Sequence, residues 1–279
     1  MKSLAKLKKI KGDASFREFY RNRENKSIIV ISKKEKLKNL LIYDAINKIL
    51  VKNKILAPNL LSENYINNCI EINDFGEQTL FQILKNKRNN KYIFFKKIIK
   101  ILNKIQSIKD KKVKNFKNKL YKIQEYNNKI LIDETKLFCD WYAPKILSRL
   151  KSIKFKKKFK LEIKNLLSKL NYKNVTFVHR DFHVSNLMYY NKKIAVIDSQ
   201  DALIGNRAYD LASLIDDVRL NTSNELKEKV FRFYIKTNKK IDLEKFKKDF
   251  EILSVLRNLK IIGIFTRLAV RDKKKNILN

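Results

Sequence analysis

The sequence predicts an α+β protein in two lobes, a small strand-rich one over residues 1–75 and a larger, mainly helical one over residues 76–279. Three observations carry that expectation. Short β-branched and alternating runs crowd the first 75 residues. Beyond them, apolar residues recur at three- and four-residue spacing. One stretch, Val175 to Asp201, interrupts the helical pattern with apolar segments around a polar turn. The chain of 279 residues is long enough to bury a sizeable core. Its 44% hydrophobic and 11% aromatic content excludes wholesale disorder. No apolar run approaches the roughly 20 residues that span a bilayer. Met1 to Gly12 is basic but lacks the apolar stretch of a signal peptide, and two cysteines, Cys69 and Cys139, suit a reducing cytoplasm.

Taken in order, Ser15 to Arg21 sets Phe16, Glu18 and Tyr20 on one side against Arg17, Phe19 and Arg21, the alternation of a strand. Ser27 to Ser32 is a β-branched run and reads as a second strand. Glu35 to Lys52 carries Leu37, Leu41, Ile42, Ala45 and Ile49 as a helical stripe, and Cys69 to Phe75 reads as a strand closing at Gly76. Helices follow, with stripes through Phe94, Ile98, Ile101, Ile105 and Ile108, and through Phe246, Phe250, Leu253 and Leu256. Lys111 to Lys160 is helical by the same pattern, anchored by Phe138 and Trp141. In the interruption, Val175, Phe177 and Val178 form an apolar strand. After Met188-Tyr189-Tyr190 and a turn at Asn191-Lys192-Lys193, a second strand, Ile194 to Ile197, ends at Asp198. A tight polar turn between strands makes a hairpin, and it places Asp181, Asn186 and Asp198 at strand ends.

Charge is lopsided: 65 Lys+Arg face 28 Asp+Glu, a net +37. Such a balance is the electrostatic footprint of nucleic-acid binding. Here the lysines are spread along the whole chain, and Lys, Asn and Ile fill tolerant positions while Gly, Ala, Pro and Trp are scarce. That pattern is the one an AT-rich coding sequence produces, so no specific nucleic-acid partner is expected. At ~7% usage a chain this long would carry about twenty glycines; it has 4. The two histidines, His179 and His183, flank Asp181.

Phosphoryl transfer needs a carboxylate to take the acceptor's proton and oxygen ligands for a magnesium ion bridging the ATP phosphates. Asp181, with Asn186 five residues on and Asp198 after an apolar strand, supplies that set, Asp181 as base and Asn186 and Asp198 as metal ligands. Asp201 follows at once, and Gly205 leads to Asp210-Leu211-Ala212. A zinc reading of His179 and His183 fails on chemistry. Arg180 stands where a metalloprotease needs its water-activating Glu, and no third His exists. Nothing around Cys139 marks it as a nucleophile. His179 reads as a brace for its loop; His183 is either structural or substrate-facing.

The run His179-Arg180-Asp181 through Asn186, with Ile197-Asp198-Ser199-Gln200-Asp201 and Asp210-Leu211-Ala212, resembles the aminoglycoside phosphotransferase/choline kinase family, relatives of the protein kinases. Gly12-Asp13-Ala14-Ser15-Phe16-Arg17 and the closing segment Leu256 to Asp272 are similar to the bacterial N-acetylmuramate/N-acetylglucosamine anomeric kinases within it. The resemblance implies a bilobal protein-kinase-like fold that binds ATP and Mg²⁺ at a hinge. It implies Asp181 as base and Asn186 and Asp198 as metal ligands. Gly12, Asp13, Ala14 and Ser15 become the turn over the phosphates, where backbone N–H groups let phosphate approach. Asp74-Phe75-Gly76 falls at the hinge, with Asp74 beside the nucleotide. Asp210 braces the catalytic loop, while His179, Arg180, His183 and Asp201 are structural or substrate-side.

Departures from the pattern matter. Ser32 ends the strand in which protein kinases carry the ATP-pairing lysine, leaving Lys33 or Lys34 as substitutes, and Glu35 to Lys52 offers no clear partner Glu. The expected activity is phosphorylation of the anomeric hydroxyl of an amino sugar in a cytoplasmic, wall-recycling role. The alternatives are another small alcohol or amine of the aminoglycoside, choline or homoserine type, or a non-catalytic basic protein on a kinase-like fold.

Overall fold

The computed structural model describes residues 7–10, 17–86 and 89–271; Gly12, Asp13, Ala14 and Ser15 lie outside the described residues. The chain forms two compact units, one of residues 1–123 with 179–202, the other of residues 124–178 with 203–279.

The first unit is built on a five-stranded antiparallel sheet of order β1-β2-β3-β5-β4, with β1 Lys8–Ile10, β2 Arg17–Asn22, β3 Ser27–Ser32, β4 Leu60–Asn64 and β5 Cys69–Asn73. Both strands expected around β2 and β3 are present, and β3 at the centre pairs with β2 from Ser27↔Asn22 to Ser32↔Arg17. Helix α1 (Lys38–Lys52) packs Leu40 and Tyr43 on the sheet face formed by Ile28, Val30, Ile70 and Ile72. Alternation explains the fit: Ile70 and Ile72 point to α1 while Glu71 and Cys69 do not. Helices α2 (Leu80–Lys85) and α3 (Lys91–Gln106) follow, the first closed by a capping box between Thr79 and Gln82. The expected α3 stripe is rotated. Its turns carry apolar residues in adjacent pairs, and Phe95, Ile98, Ile99, Leu102 and Ile105 take the core. Phe94 instead meets the Tyr189 ring edge-on at 6.0 Å.

Two expectations need correction. Lys111 to Lys160 is not continuously helical: β6 (Lys112–Lys114) and β7 (Leu120–Lys122) pair as a hairpin before α4 (Asn128–Leu137) begins. The intervening Asn115 carboxamide accepts from the Lys117 and Lys119 amides at 3.0 and 3.2 Å, so a side chain closes the turn that a helix would have needed open. And the hairpin near Asp198 does not use the Val175 strand. After β8 (Thr176–Val178), β9 (Leu187–Tyr190) and β10 (Lys193–Val196) pair with each other, while β8 pairs with β11 (Leu203–Gly205) in the second unit. Asn191 and Lys192 both take positive φ, 47° and 61°, the two-residue geometry that matches strand twist.

The second unit is helical apart from that β8–β11 pair, with α4, α5 (Ala143–Ile146), α6 (Arg149–Ser168), α7 (Ala208–Ile215), α8 (Asn224–Thr237) and α9 (Leu243–Arg271). A π-helical turn, Phe138–Tyr142, continues α4. Gly263 sits where α9 crosses that junction: a Cβ there would lie 2.4 Å from the Leu137 carbonyl carbon, so a side chain would force the helices apart. Asp249, fully buried on α9, ties down the loop before β8 and the end of β11. Its carboxylate accepts from the Asn171 and Tyr172 amides at 2.7 and 2.9 Å and from the Asn171 and Asn206 carboxamides at 3.0 and 2.6 Å. Among the described residues no helix is long and apolar enough to cross a membrane.

Candidate active site

The first unit gathers the loop His179 to Asn186 and the segment Ile197 to Asp201 at the open end of the β9–β10 hairpin. That hairpin is stitched by backbone to the segments at Leu56 and Gln78. Tyr189 N donates to Gln78 O at 2.8 Å, Val196 N donates to Leu56 O at 2.8 Å, and Phe75 packs with Met188, Ala195 and Tyr190. Residues far apart in sequence are therefore held on one rigid platform.

Within the loop, the Asp181 carbonyl accepts from the His183 amide at 3.0 Å and from Asn186 Nδ2 at 3.0 Å. Committing Nδ2 inward leaves Asn186 Oδ1 as the group's acceptor. Asn186 O in turn accepts from the Ile197 amide at 3.0 Å, fixing the two segments to each other. His179 is fully buried, and its Nε2 meets the Ile197 carbonyl at 3.1 Å. A carbonyl can only accept, so Nε2 carries the proton. Burial pushes this imidazole below its ordinary 6.5, against the opposing pull of Asp181, Asp198 and Asp201, and keeps it neutral. Its contact joins the start of this loop to the segment that ends at Asp198. His183 is buried too, with Nε2 at 3.4 Å from Asn186 Nδ2.

Asp198 stands at the end of the hairpin with φ 62°, and Arg180 at 78°. Two residues in the left-handed region flank the site, and for Arg180 that conformation costs about 1 kcal/mol or more. Asp198 Oδ1 accepts from Arg17 Nη2 at 3.1 Å and from Gln200 Nε2 at 3.0 Å; Gln200 Nε2 also reaches Asp201 Oδ2 at 2.9 Å. Arg180 Nη1 lies 4.0 Å from Asp201 Oδ1. Ser199 Oγ donates to Asn47 Oδ1 of α1 at 2.7 Å. The side chain of Asp198 is 41% exposed while that of Arg17 is 5% exposed.

Asp74 follows β5, and its carboxylate is engaged: Arg21 approaches both oxygens, at 2.6 and 3.2 Å, and the Gly76 amide donates at 2.8 Å. Gly76 holds φ 80°, the conformation for which glycine is suited. Asp210 is fully buried on α7 in the second unit. Cys139 is buried, which pushes its thiol up to about 11 and keeps it protonated and unreactive. Arg17 and Arg21 are the residues sequence reasoning passed over. The signal was present in the β2 alternation, which puts Arg17, Phe19 and Arg21 on one face.

The donor set suits magnesium. Asn186 Oδ1 and one oxygen of Asp198 are hard ligands, and a Mg²⁺ site shared with phosphates takes only one or two such groups from protein. Among the described residues no group of three or more His, Cys, Asp or Glu could hold a metal by itself.

Residues 6–246 match the phosphotransferase enzyme family, APH. The chain belongs to this family. An N-acetylmuramate/N-acetylglucosamine kinase of Neisseria meningitidis is 34% identical over 158 residues, which cover 54% of this chain and 47% of that protein, so the match spans about half of the relative's length. The enzyme of the same name from Pseudomonas aeruginosa is 27% identical over 98% of this chain and 80% of its own. Among solved structures, APH(2″)-IIa in complex with gentamicin superposes with a TM-score of 0.65 at 18% identity, covering 94% of this chain and 85% of that one. Its streptomycin–ATP ternary complex gives 0.63 at 16% identity, covering 98% and 90%. The α+β, kinase-like fold expected from the sequence is the fold of this phosphotransferase-family chain.

Proposed function

We propose that this phosphotransferase-family protein transfers the γ-phosphoryl group of ATP to the anomeric hydroxyl of an amino sugar, N-acetylmuramate or N-acetylglucosamine. The observation that carries the reading is the ordered set Asp181, Asn186 and Asp198 on one backbone-stitched platform, in a chain whose relatives are named as kinases of those sugars. Asp181 accepts the proton of the attacking hydroxyl. Asn186 Oδ1 and Asp198 would hold magnesium, which when bound neutralises charge between the transferring phosphates. The segment Asp74 to Gly76 bounds the nucleotide. This gives a functional division into a nucleotide-binding lobe over 1–75 and a catalytic, substrate-binding lobe over 76–279. An enzyme drawing on ATP works in the cytoplasm, in recycling of wall sugars.

The anomeric acceptor has a chemical logic. The ring oxygen withdraws charge, so this hydroxyl is more acidic than an ordinary alcohol and yields its proton readily to a carboxylate late in a loose transition state. The lactyl carboxylate of N-acetylmuramate is also drawn to a chain with 65 cationic and 28 acidic side chains. Incubation of the protein with ATP, Mg²⁺ and a panel of N-acetylmuramate, N-acetylglucosamine, choline and an aminoglycoside tests it. The expected product is an anomeric phosphate that mild acid hydrolyses far faster than a 6-phosphate. An acid-stable product, or turnover with the cationic acceptors alone, rejects the assignment.

A further inference from the structure

Strand β3 reads Ser-Ile-Ile-Val-Ile-Ser and contains no cation, although phosphate-pairing in kinases is the task of a lysine on that strand, held by a Glu from the following helix. The two lysines next in sequence do not fill the place: Lys33 and Lys34 are both exposed at the start of a 3₁₀ turn. Helix α1 offers no acid to hold them. Its buried Asp44 is turned elsewhere, accepting from the Phe116 amide at 2.7 Å and pairing with Lys48 at 2.9 Å.

A buried cation does reach the site, from the neighbouring strand. Arg17 is the cross-strand partner of Ser32, one strand over from the place the lysine would occupy. Its guanidinium lies between the rings of Phe19 and Tyr43, 5.7 and 5.4 Å from their centroids, and donates to Asp198 Oδ1 at 3.1 Å. The α1 face behind it is neutral in place of acidic. Asn47 Oδ1 accepts from Ser199 Oγ, and burial pushes the Tyr43 hydroxyl up to about 12, so it stays protonated. Aromatic walls flank the cation, and its ion pair is with a carboxylate that is 41% exposed, a pairing for which a bound phosphate can compete. We propose that Arg17 is the nucleotide-phosphate cation of this protein. Paired with Asp198 Oδ1 in this structure, it turns to the phosphate oxygens of a bound nucleotide, its planar fork suited to two-point contact.

This inference rests on the kinase reading, and the test separates the two. Equilibrium affinities for ATP and for adenosine, measured by calorimetry on the whole chain, give a ratio that reports the phosphate contacts alone. Arg17→Met is expected to lower that ratio by about tenfold to a hundredfold, the worth of a charge-assisted contact, with adenosine affinity unchanged. Arg17→Lys, which keeps the charge and covers the case in which the Met variant does not fold, recovers part of it. Lys33→Ala and Lys34→Ala leave the ratio as in the wild type. A folded Arg17→Met with the wild-type ratio overturns the proposal, as does an equal loss of ATP and adenosine, or a ratio lost in Lys33→Ala or Lys34→Ala. Absence of any ATP binding by the wild type overturns the kinase reading itself and this inference with it.

Discussion

Two carboxylates, one in each unit, show what distinguishes an acid spent on the fold from one still open to a ligand. Asp249 is fully buried, and both its oxygens are saturated by amide donors from Asn171, Tyr172 and Asn206. Asp198 is 41% exposed, sits at φ 62°, and accepts from Arg17 and Gln200 on Oδ1. The first has nothing left to give a ligand; it locks two loops onto a helix. The second is held in a strained conformation by a hairpin and keeps coordinating capacity on its solvent side. Burial alone would have ranked them the other way round as sites. Valence satisfied by protein is the better discriminator.

The sharpest way to break this contrast is to remove the proposed base beside Asp198. Asp181→Asn preserves shape but not proton affinity, and turnover is expected to fall by about 10²–10⁴ with ATP affinity and melting temperature close to wild type. Wild-type turnover in that variant would remove Asp181 from the chemistry. Next comes an exchange of Asp for Asn at both carboxylates. Asp249→Asn places a carboxamide against four donors and leaves buried groups unpaired, so denaturant unfolding should show a loss of about 3 kcal/mol with no effect specific to magnesium. Asp198→Asn keeps an oxygen for Arg17, so the fold survives while nucleotide binding loses its magnesium dependence. If magnesium titrations of Asp198→Asn match the wild type, the metal role passes to Asp201.

The smallest effect concerns pH. His179 is neutral and depressed below 6.5 in the fold, so the unfolded chain binds the extra proton first as pH falls. Stability from this group is therefore full above pH 6.5 and is lost as pH drops from there toward the lower folded value. The slope is at most about 1.4 kcal/mol per pH unit. Melting temperatures between pH 7 and 5 should fall less steeply in His179→Gln than in the wild type; parallel curves would show that another group dominates.

Much of the architecture was legible because it rests on periodicity. The β2 and β3 strands, helix α1, the existence of α3, the α9 stripe and the Asp181–Asn186–Asp198 order all follow from spacing of residue types. What escaped was decided by partners rather than pattern. The Lys112–Lys122 hairpin has apolar residues at Val113, Phe116 and Leu120, a spacing a helix could also use, and the Asn115 side chain tips the balance toward a turn. The Val175 strand was paired with the wrong neighbour, since β11 is a three-residue segment with no signal of its own. Arg17 carried a visible address on β2, but its role depends on Asp198, 181 positions away.

The left-handed turns have a consequence for where this chain carries strain. Lys26, Lys54 and Lys192 hold φ of 49°, 58° and 61°, and Asn68, Asn118 and Asn191 are close to them. Those are the positions at which most chains of this size would keep glycine. Here lysine and asparagine hold the conformation instead, because strand register and helix ends on either side leave the backbone no alternative. A chain with 4 glycines thus still makes these turns, at a small strain spread over several positions.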